Sequence, residues 1–169
     1  MTILNPEHLL DQAEALLTQT RGGPHRQVDL RRAISAAYYG VFHTITTAIA
    51  DRIVGRGKRS TPRYTLVYRA LDHRTLSNFC LMASRPSLPP KYQGHGPAGG
   101  FGHEIQVFSR AVHDLQQQRH AADYDPGLYL EVSEASIWID LARTAIRQWA
   151  AAAEEEREAF LLLLLFPPR

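Results

Sequence analysis

The chain has little of several features that mark particular classes of protein. Its 169 residues include one cysteine, Cys80, so no disulfide bond can form within the chain, and its apolar neighbours predict that this thiol is buried. No apolar run reaches the roughly 18 residues that cross a bilayer, and the first residues lack the pattern of a signal peptide. These absences predict a cytoplasmic protein with no membrane span.

Positively and negatively charged residues are present in nearly equal numbers. Nineteen lysines and arginines face 17 aspartates and glutamates, and the resulting net charge of +2 is too small to indicate nucleic-acid binding by itself. Cations are nevertheless concentrated in residues 52–63, between two predicted helices. They are Arg52, Arg56, Lys58, Arg59 and Arg63. This segment suits either a solvated loop or contact with a phosphate backbone or an acidic partner.

Motifs for cofactors and metals are also missing. The glycine-rich residues 94–100 lack the strand and helix that flank a phosphate-binding loop, so we predict a flexible connector there. His95, His103 and His113 match no spacing that is typical of a zinc site. We therefore predict no cofactor and no metal.

Apolar residues recur at the helical period in most of the remaining sequence, and no strand pattern is present. We predict an all-α fold, a bundle of four or five antiparallel helices. Side chains expected to face the core include Leu66, Ala70 and Ile137. The first predicted helix covers about residues 6–19. The second begins near residue 27 and ends at the glycines at 55 and 57, and the third begins at about residue 61 and ends before the loop at 84. The fourth covers about residues 103–118, and the fifth about residues 128–160.

A chain of this length is expected to form one domain. We predict a helical domain over residues 1–160, with a long loop at about 84–102 that is rich in proline and glycine. Loops of this length are usually either functional or disordered. The apolar C-terminal tail, residues 161–169, is expected to dock on the bundle, on a second subunit or on a partner.

The second predicted helix carries a polar stripe beside its apolar face. At 100° per residue, Arg32, Ser35, Tyr39 and His43 fall within an arc of roughly 80°. Solvated stripes usually consist of lysine, glutamate and glutamine, whereas tyrosine and histidine suit a partly buried surface. The stripe indicates either packing at a subunit interface or an active groove.

Arg119 continues the apolar stripe of the fourth predicted helix and is therefore expected to point toward the core. A guanidinium in that position requires a partner, because an unpaired buried charge is costly. Asp123 or Asp125 could pair with it internally. Alternatively, Arg119 could clamp a phosphate with its planar array of donors.

Two segments resemble those of small bacterial proteins of the HEPN superfamily. Residues 32–43, RAISAAYYGVFH, are similar to the pattern R-A-x-S-x-A-Y-Y-x-x-F-H, and residues 119–126, RHAADYDP, are similar to R-x-x-A-D-Y-D-P. The resemblance covers the helical scaffold from about residue 6 to 150. It implies an HEPN-type bundle that forms a homodimer, often with a groove at the interface.

The resemblance also carries functional implications. Many HEPN proteins are metal-independent endoribonucleases that act as toxins or defence effectors, and others are noncatalytic partners of nucleotidyltransferases. Their ribonuclease motif is an arginine, usually followed by a polar residue, with a histidine after four to six intervening positions. Arg119 and His120 fit its beginning, but the closing histidine is absent and Tyr124 stands in its region.

Two functional hypotheses follow. In the first, the protein cleaves RNA: Arg119 binds phosphate, His43 or His120 transfers protons, and Tyr39 and Tyr124 orient or stack on the RNA. In the second, Arg119, Asp123 and Tyr124 form a structural network in a noncatalytic dimerisation or partner-binding module. The candidate catalytic residues are Arg119, His43, His120 and Tyr124, and the candidate substrate-binding residues are Arg32, Ser35, Tyr39 and Asp123.

Overall fold

The structure, a computed structural model, describes residues 4–18 and 24–169. These residues form eight α-helices and one 3-10 turn, with no strand among them, which confirms the all-α prediction. Residue 19, the predicted end of the first helix, and residues 20–23 before the second helix lie outside the described ranges. The helices are α1 (Pro6–Thr18), α2 (Gln27–Ile53), α3 (Pro62–Tyr68), α4 (His73–Ala83), α5 (Pro90–Gln93), α6 (His103–Tyr124), α7 (Val132–Ala151) and α8 (Glu154–Leu165), and the 3-10 turn covers Arg56–Lys58.

The central element is α2, which packs against α1, α3, α6 and α7. Gly40 lets α1 approach closely, since a Cβ atom there would lie 3.1 Å from Leu10 Cδ2 and 3.2 Å from the Pro6 carbonyl oxygen. Because the start of α1 lies at the middle of α2 and the two helices are joined at their other ends, they run antiparallel. The buried face of α2 repeats at the predicted period and includes Ala33, Ala37, Val41, Ile45 and Ile49.

The predicted third helix is divided into α3 and α4. Asp72 caps α4, because its carboxylate accepts hydrogen bonds from the Thr75 backbone N–H at 2.8 Å and the Thr75 hydroxyl at 2.7 Å. The division gives each short helix its own inward face. Leu66 and Ala70, which were predicted to face the core, are therefore exposed.

Helix α6 continues past its predicted end at Gln118 to Tyr124. Alanines at 121 and 122 favour the helix, and an ion pair between Arg119 and Asp123, four residues apart, supports the last turn. The helix ends at the predicted turn of residues 125–127, where the Asp125 carboxylate accepts a hydrogen bond from the Gly127 N–H at 2.8 Å.

The predicted fifth helix is also divided, into α7 and α8. Ala152 and Ala153 between them have extended backbone conformations, with ψ of 146° and 144°. The break returns α8 to the bundle, where the ring centre of Phe160 lies 4.9 Å from that of Phe79 and 5.3 Å from that of Trp149. Tertiary packing thus overrides the helical preference of the alanine run.

Helix α7 begins at Val132, after a capping box in which Glu131 and Glu134 accept from each other's backbone N–H groups. Its buried face consists of Ala135, Ile139, Ala142, Ala145 and Trp149. Ile137 lies outside this face and is 64% exposed, so the prediction that it faces the core was wrong.

The leucine-rich segment docks on the bundle. Leu161, Leu163 and Leu164 are buried in the same core as α2 and α6, whereas Leu162 and Phe166 are exposed. Helix α8 begins at Glu154 and passes through residue 160 without interruption. The C-terminal segment is therefore continuous with the helical bundle.

The loop that connects α4 to α6 is packed rather than loose. It contains the short helix α5, and its Leu88, Tyr92 and Phe101 side chains are buried in the main core. The Gly102 backbone N–H donates a hydrogen bond to Glu156 Oε1 of α8 at 2.6 Å. The loop and α8 therefore hold each other against the bundle.

Cys80 of α4 is fully buried, as predicted, and burial raises the pKa of its thiol. In the part of the chain that the structure describes, none of the helices combines the length and apolarity of a membrane span.

Candidate functional site

A groove of about 410 Å³ opens between the N-terminal half of α2 and the C-terminal end of α6. A small apolar cluster from α2, α6 and α7 supports this end of the bundle. The groove brings together six of the eight predicted site residues, and we call it the α2–α6 groove. Its lining is Val28, Arg31, Arg32, Ser35, Tyr39, Arg119, Ala122, Asp123 and Tyr124.

Arg119 is held by side chains of both helices. Its Nε atom lies 2.7 Å from Asp123 Oδ2, and its Nη2 donates a hydrogen bond to the Tyr39 hydroxyl at 3.0 Å. The other Asp123 oxygen accepts a hydrogen bond from the Ser35 hydroxyl at 2.6 Å. Because Tyr39 meets Arg119 and Ser35 meets Asp123, α2 and α6 run antiparallel here. Asp123, rather than Asp125, is the internal partner of Arg119.

The ion pair leaves part of the hydrogen-bonding capacity of Arg119 unused. Its Nε is shielded from solvent and has no aligned hydrogen-bond acceptor among the described residues, so its contact with Asp123 is electrostatic. The whole Arg119 side chain is only 15% exposed. This guanidinium therefore lies at the wall of the groove, in an environment where an anion would interact with it strongly.

Aromatic rings flank the guanidinium. Its central carbon lies 5.5 Å from the Tyr39 ring centre and 5.8 Å from the Tyr124 ring centre, within the range of cation–π interaction. Tyr124 is 65% exposed, and its ring centre is 4.9 Å from that of His120. The groove thus presents an open aromatic surface beside its cation.

Arg31 and Gln27 attach α2 to the turn that follows α6. Arg31 donates hydrogen bonds to the carbonyls of Ala122, at 3.2 Å, and Asp125, at 2.6 Å, and also to that of Leu128. Gln27 exchanges two hydrogen bonds with the Leu130 backbone, at 2.8 and 2.9 Å. Neither residue was among the predicted site residues, because its role depends on carbonyls about 90 or more positions away.

His43 lies one turn beyond Tyr39 on α2, outside the groove lining. Its Nδ1 is 2.7 Å from the hydroxyl of Tyr68 on α3, and the two rings are stacked with 5.6 Å between their centres. Burial lowers the pKa of His43, and the charge of nearby His73 lowers it further.

His73, the first residue of α4, is a neighbour of this site that was not predicted from the sequence. Its Nδ1 lies 2.8 Å from the hydroxyl of the fully buried Tyr38, and its ring centre is 4.1 Å from that of Phe42 and 5.6 Å from that of Tyr39. Burial lowers the pKa of His73, and the positive charge of Arg119 lowers it further. Sequence spacing offered no signal, because the helix break before α4 positions this side chain.

A second groove, of about 370 Å³, lies at the opposite end of α2 and includes part of the basic segment. Its Arg52 forms an ion pair with Glu158, and Arg56 lies 3.4 Å from Asp51. In the α2–α6 groove, by contrast, the exposed Arg32 forms no ion pair with any described residue. The α2–α6 groove is therefore the stronger candidate for an anion site.

None of the family models, curated proteins or solved structures compared with this chain matches it. Among residues 4–18 and 24–169, no group of three or more histidine, cysteine, aspartate or glutamate side chains is arranged to hold a metal ion. The assignment of a function therefore depends on the groove itself.

Proposed function

We propose that this chain is an HEPN-type protein that binds single-stranded RNA in the α2–α6 groove, as an RNA-directed effector. The observation that carries the proposal is the Arg119 guanidinium between Tyr39 and Tyr124, at the wall of an open groove. Proteins recognise unpaired RNA by combining contacts to phosphate with stacking of bases on aromatic or guanidinium planes.

Arg32 and Arg119 supply the phosphate contacts in this proposal. The exposed Arg32 forms no ion pair within the described ranges, and Arg119 shares its charge with Asp123. Together with Arg31, which also lines the groove, they make three guanidinium groups against the one carboxylate of Asp123, so the groove has an excess of positive charge. The planar fork of an arginine suits two phosphate oxygens at once.

Tyr124 supplies the stacking surface. Its ring is largely exposed at the end of α6, beside both Arg119 and His120. Stacking of a base on an aromatic side chain contributes about 1–3 kcal/mol and accepts any base. Binding in this groove should therefore depend little on RNA sequence.

Binding of a fluorescent single-stranded RNA, followed by anisotropy, tests the proposal with Arg119→Ala, Arg32→Ala and a control, Arg110→Ala. Arg110 is an exposed arginine on α6 outside the groove lining. A charge-assisted hydrogen bond contributes about 1.5–3 kcal/mol, so each groove variant should bind roughly 10- to 100-fold more weakly, and the control should bind normally.

Equal binding by the wild type, Arg32→Ala and Arg119→Ala would contradict the proposal. Arg32→Ala removes an exposed side chain and should leave the fold intact. It therefore keeps the test valid if Arg119→Ala lowers stability, which circular dichroism would show.

The second candidate function is a noncatalytic dimerisation or partner-binding module. It is favoured by the chain of contacts Ser35–Asp123–Arg119–Tyr39, in which Arg119 has an ion-pair partner and a hydrogen-bond acceptor within the protein. The partner in that case is a second copy of the chain or a nucleotidyltransferase, as the resemblance implies. A homodimer in solution, measured by light scattering, is expected under both candidates.

Asp123→Asn separates the two candidates. If the groove binds RNA, loss of the carboxylate removes a competitor for Arg119, and RNA should bind more tightly. If the network only supports an interface, the same variant should weaken the dimer and leave RNA binding undetectable in both proteins. Anisotropy and light scattering on the same samples give both readings.

A further inference from the structure

Positive charge is concentrated in one segment of the chain, from the end of α2 to the first turn of α4. Residues 52–74 contain seven of the 19 lysines and arginines but one of the 17 aspartates and glutamates, which gives this segment a net charge of +6. The other 12 cationic and 16 anionic side chains leave the rest of the chain with −4. All seven cations of the segment are exposed. Such an asymmetry indicates a surface that meets a negatively charged partner.

Four of these seven cations have no anionic partner within the protein. Three are paired, Arg52 with Glu158, and Arg56 and Arg59 with Asp51. The other four form no ion pair with any residue in the ranges 4–18 and 24–169, and they are Lys58, Arg63, Arg69 and Arg74. The unpaired positive charge therefore lies on α3 and in the segments directly before and after it.

The orientation of α3 places an apolar side chain between two of the unpaired arginines. Tyr64 and Tyr68 point toward α2, with which they form hydrogen bonds. At 100° per residue, Arg63, Leu66 and Arg69 lie within an arc of about 120° on the opposite side of the helix. Leu66 is at the centre of this arc and is 74% exposed. We call the surface formed by Arg63, Leu66 and Arg69 the α3 face.

The α3 face is poorly suited to nucleic acid or to a peptide. A single strand requires aromatic rings for stacking, and both tyrosines of α3 point toward α2. The phosphates of a duplex would give the central Leu66 no apolar contact. Peptides are usually bound in a groove or at a strand edge, and no residue of α3 lines either of the two grooves described above.

We propose that the α3 face binds the surface of an anionic lipid bilayer, with Leu66 inserted among the lipids and Arg63 and Arg69 at their phosphates. An arginine can place its aliphatic stem along apolar surface and its guanidinium among the headgroups. Each cation near an anionic bilayer strengthens binding about fivefold, and an inserted leucine adds apolar burial. The contact is peripheral and lies outside the α2–α6 groove, so this inference does not depend on RNA binding.

Cosedimentation of the full chain with lipid vesicles tests the proposal. The protein should bind vesicles of phosphatidylglycerol and phosphatidylcholine, and it should not bind vesicles of phosphatidylcholine alone. Leu66→Ser should weaken binding roughly 10- to 100-fold, because the burial of a leucine side chain is lost. The double variant Arg63→Gln, Arg69→Gln should weaken it about 25-fold. These side chains are exposed, so circular dichroism should show an unchanged fold.

Ile137→Ser is the matched control for Leu66→Ser. Ile137 is 64% exposed on α7 and is flanked at the same helical spacing by the exposed carboxylates of Glu134 and Asp140 instead of arginines. An anionic bilayer repels those carboxylates. The Ile137→Ser variant should therefore bind the anionic vesicles as well as the wild type does.

Three outcomes would overturn the inference. The first is wild-type protein that binds neither kind of vesicle, or binds both equally. The second is anionic-vesicle binding that Leu66→Ser weakens no more than Ile137→Ser does, since the leucine would then not enter the bilayer. The third is binding of duplex DNA or polyglutamate, lost in the double arginine variant, by protein that does not bind vesicles. That result would assign the α3 face to nucleic acid or to an acidic protein.

Discussion

At the scale of single residues, the environments of His43 and His73 determine when these side chains carry charge. Each imidazole is partly buried, and each has a tyrosine hydroxyl at Nδ1. Arg119 adds positive charge near His73, whereas His43 is repelled by His73 only when His73 is itself protonated. Burial removes hydration from the charged form, and the neighbouring cation repels it. The folded protein therefore holds both side chains neutral at neutral pH.

This neutrality predicts a loss of stability in mild acid. Both histidines have pKa values below the ordinary value of about 6.5, so the unfolded chain binds protons that the folded protein does not. The free energy of unfolding should fall as pH is lowered from about 7 through 6.5, and this contribution should level off below the folded-state pKa values. Urea unfolding at a series of pH values measures it.

A double variant, His43→Gln with His73→Gln, should lose this part of the pH dependence, and His103→Gln should keep it. An unchanged pH dependence in the double variant would show that other groups are responsible. The comparison uses differences between variants, so the many carboxylates of the chain do not obscure it.

At the scale of elements, α8 makes a larger contribution to the core than its position near the C-terminus suggests. Phe160 is fully buried, and its ring contacts those of Phe79, Phe101, Phe108 and Trp149. Removing a buried aromatic side chain leaves a cavity between elements that cannot close around it. The break between α7 and α8 is therefore a condition for a complete core.

Phe160→Ala should lower the free energy of unfolding by about 3–5 kcal/mol. Phe166→Ala is the control, since Phe166 is 66% exposed and its loss should change stability by about 0.5 kcal/mol or less. Chemical denaturation measures both. Equal, small effects would mean that α8 is not packed on the bundle in solution.

The conformation of the loop between α4 and α6 requires glycine at position 100. Gly100 has φ of +97°, and a Cβ atom there would lie 2.7 Å from the Pro86 carbonyl oxygen. Gly100→Ala should therefore lower the free energy of unfolding by at least about 1–2 kcal/mol, the cost of a left-handed conformation for alanine. Thermal and urea unfolding measure the change.

Gly94→Ala in the same loop is the matched control. Gly94 has a right-handed helical conformation, and nothing lies within 4 Å of its added Cβ. Its replacement should be neutral or slightly stabilising, because alanine restricts the unfolded chain more than glycine does. A Gly100→Ala variant as stable as Gly94→Ala would indicate that the loop adopts another conformation in solution.

At the scale of the whole molecule, the net charge of +2 is too small to attract anions strongly. Attraction of anions therefore depends on local clusters of positive charge. The α2–α6 groove and the basic segment of residues 52–63 lie toward opposite ends of α2, a helix of 27 residues and thus about 40 Å long. Two arginines of the basic segment already pair with Asp51, Arg59 at 2.5 Å and Arg56 at 3.4 Å. The groove is therefore expected to dominate RNA binding.

Salt dependence tests this distribution. Contact of two groove arginines with two phosphates predicts that log Kd rises with log salt concentration with a slope of about 1.4, or about 0.7 per phosphate of a single strand. Anisotropy titrations at several salt concentrations measure the slope. The double variant Lys58→Glu, Arg63→Glu should keep it; a marked fall would place the basic segment on the RNA path instead.

The predictions from sequence were accurate where a local pattern has a direct physical consequence. The periodicity of α2 corresponds to its buried face, and the polar stripe of Ser35 and Tyr39 meets α6. They were wrong where packing outweighed propensity, as at Ala152 and Ala153. The prediction that Ile137 faces the core relied on its apolar character. That prediction was wrong because apolar character alone does not specify which face of a helix meets its neighbours.

The sequence by itself determined that the chain is all-helical, that α2 is a core helix with one polar stripe, and that Arg119 needs a partner, since period and charge are properties of neighbouring residues. Only the tertiary structure decided which side chains share a site. Asp123 became the partner of Arg119 because α6 continues for another turn, and His73 came beside Tyr39 because α4 starts afresh at Asp72. Such contacts join residues far apart in the chain, and their distances depend on how the helices pack.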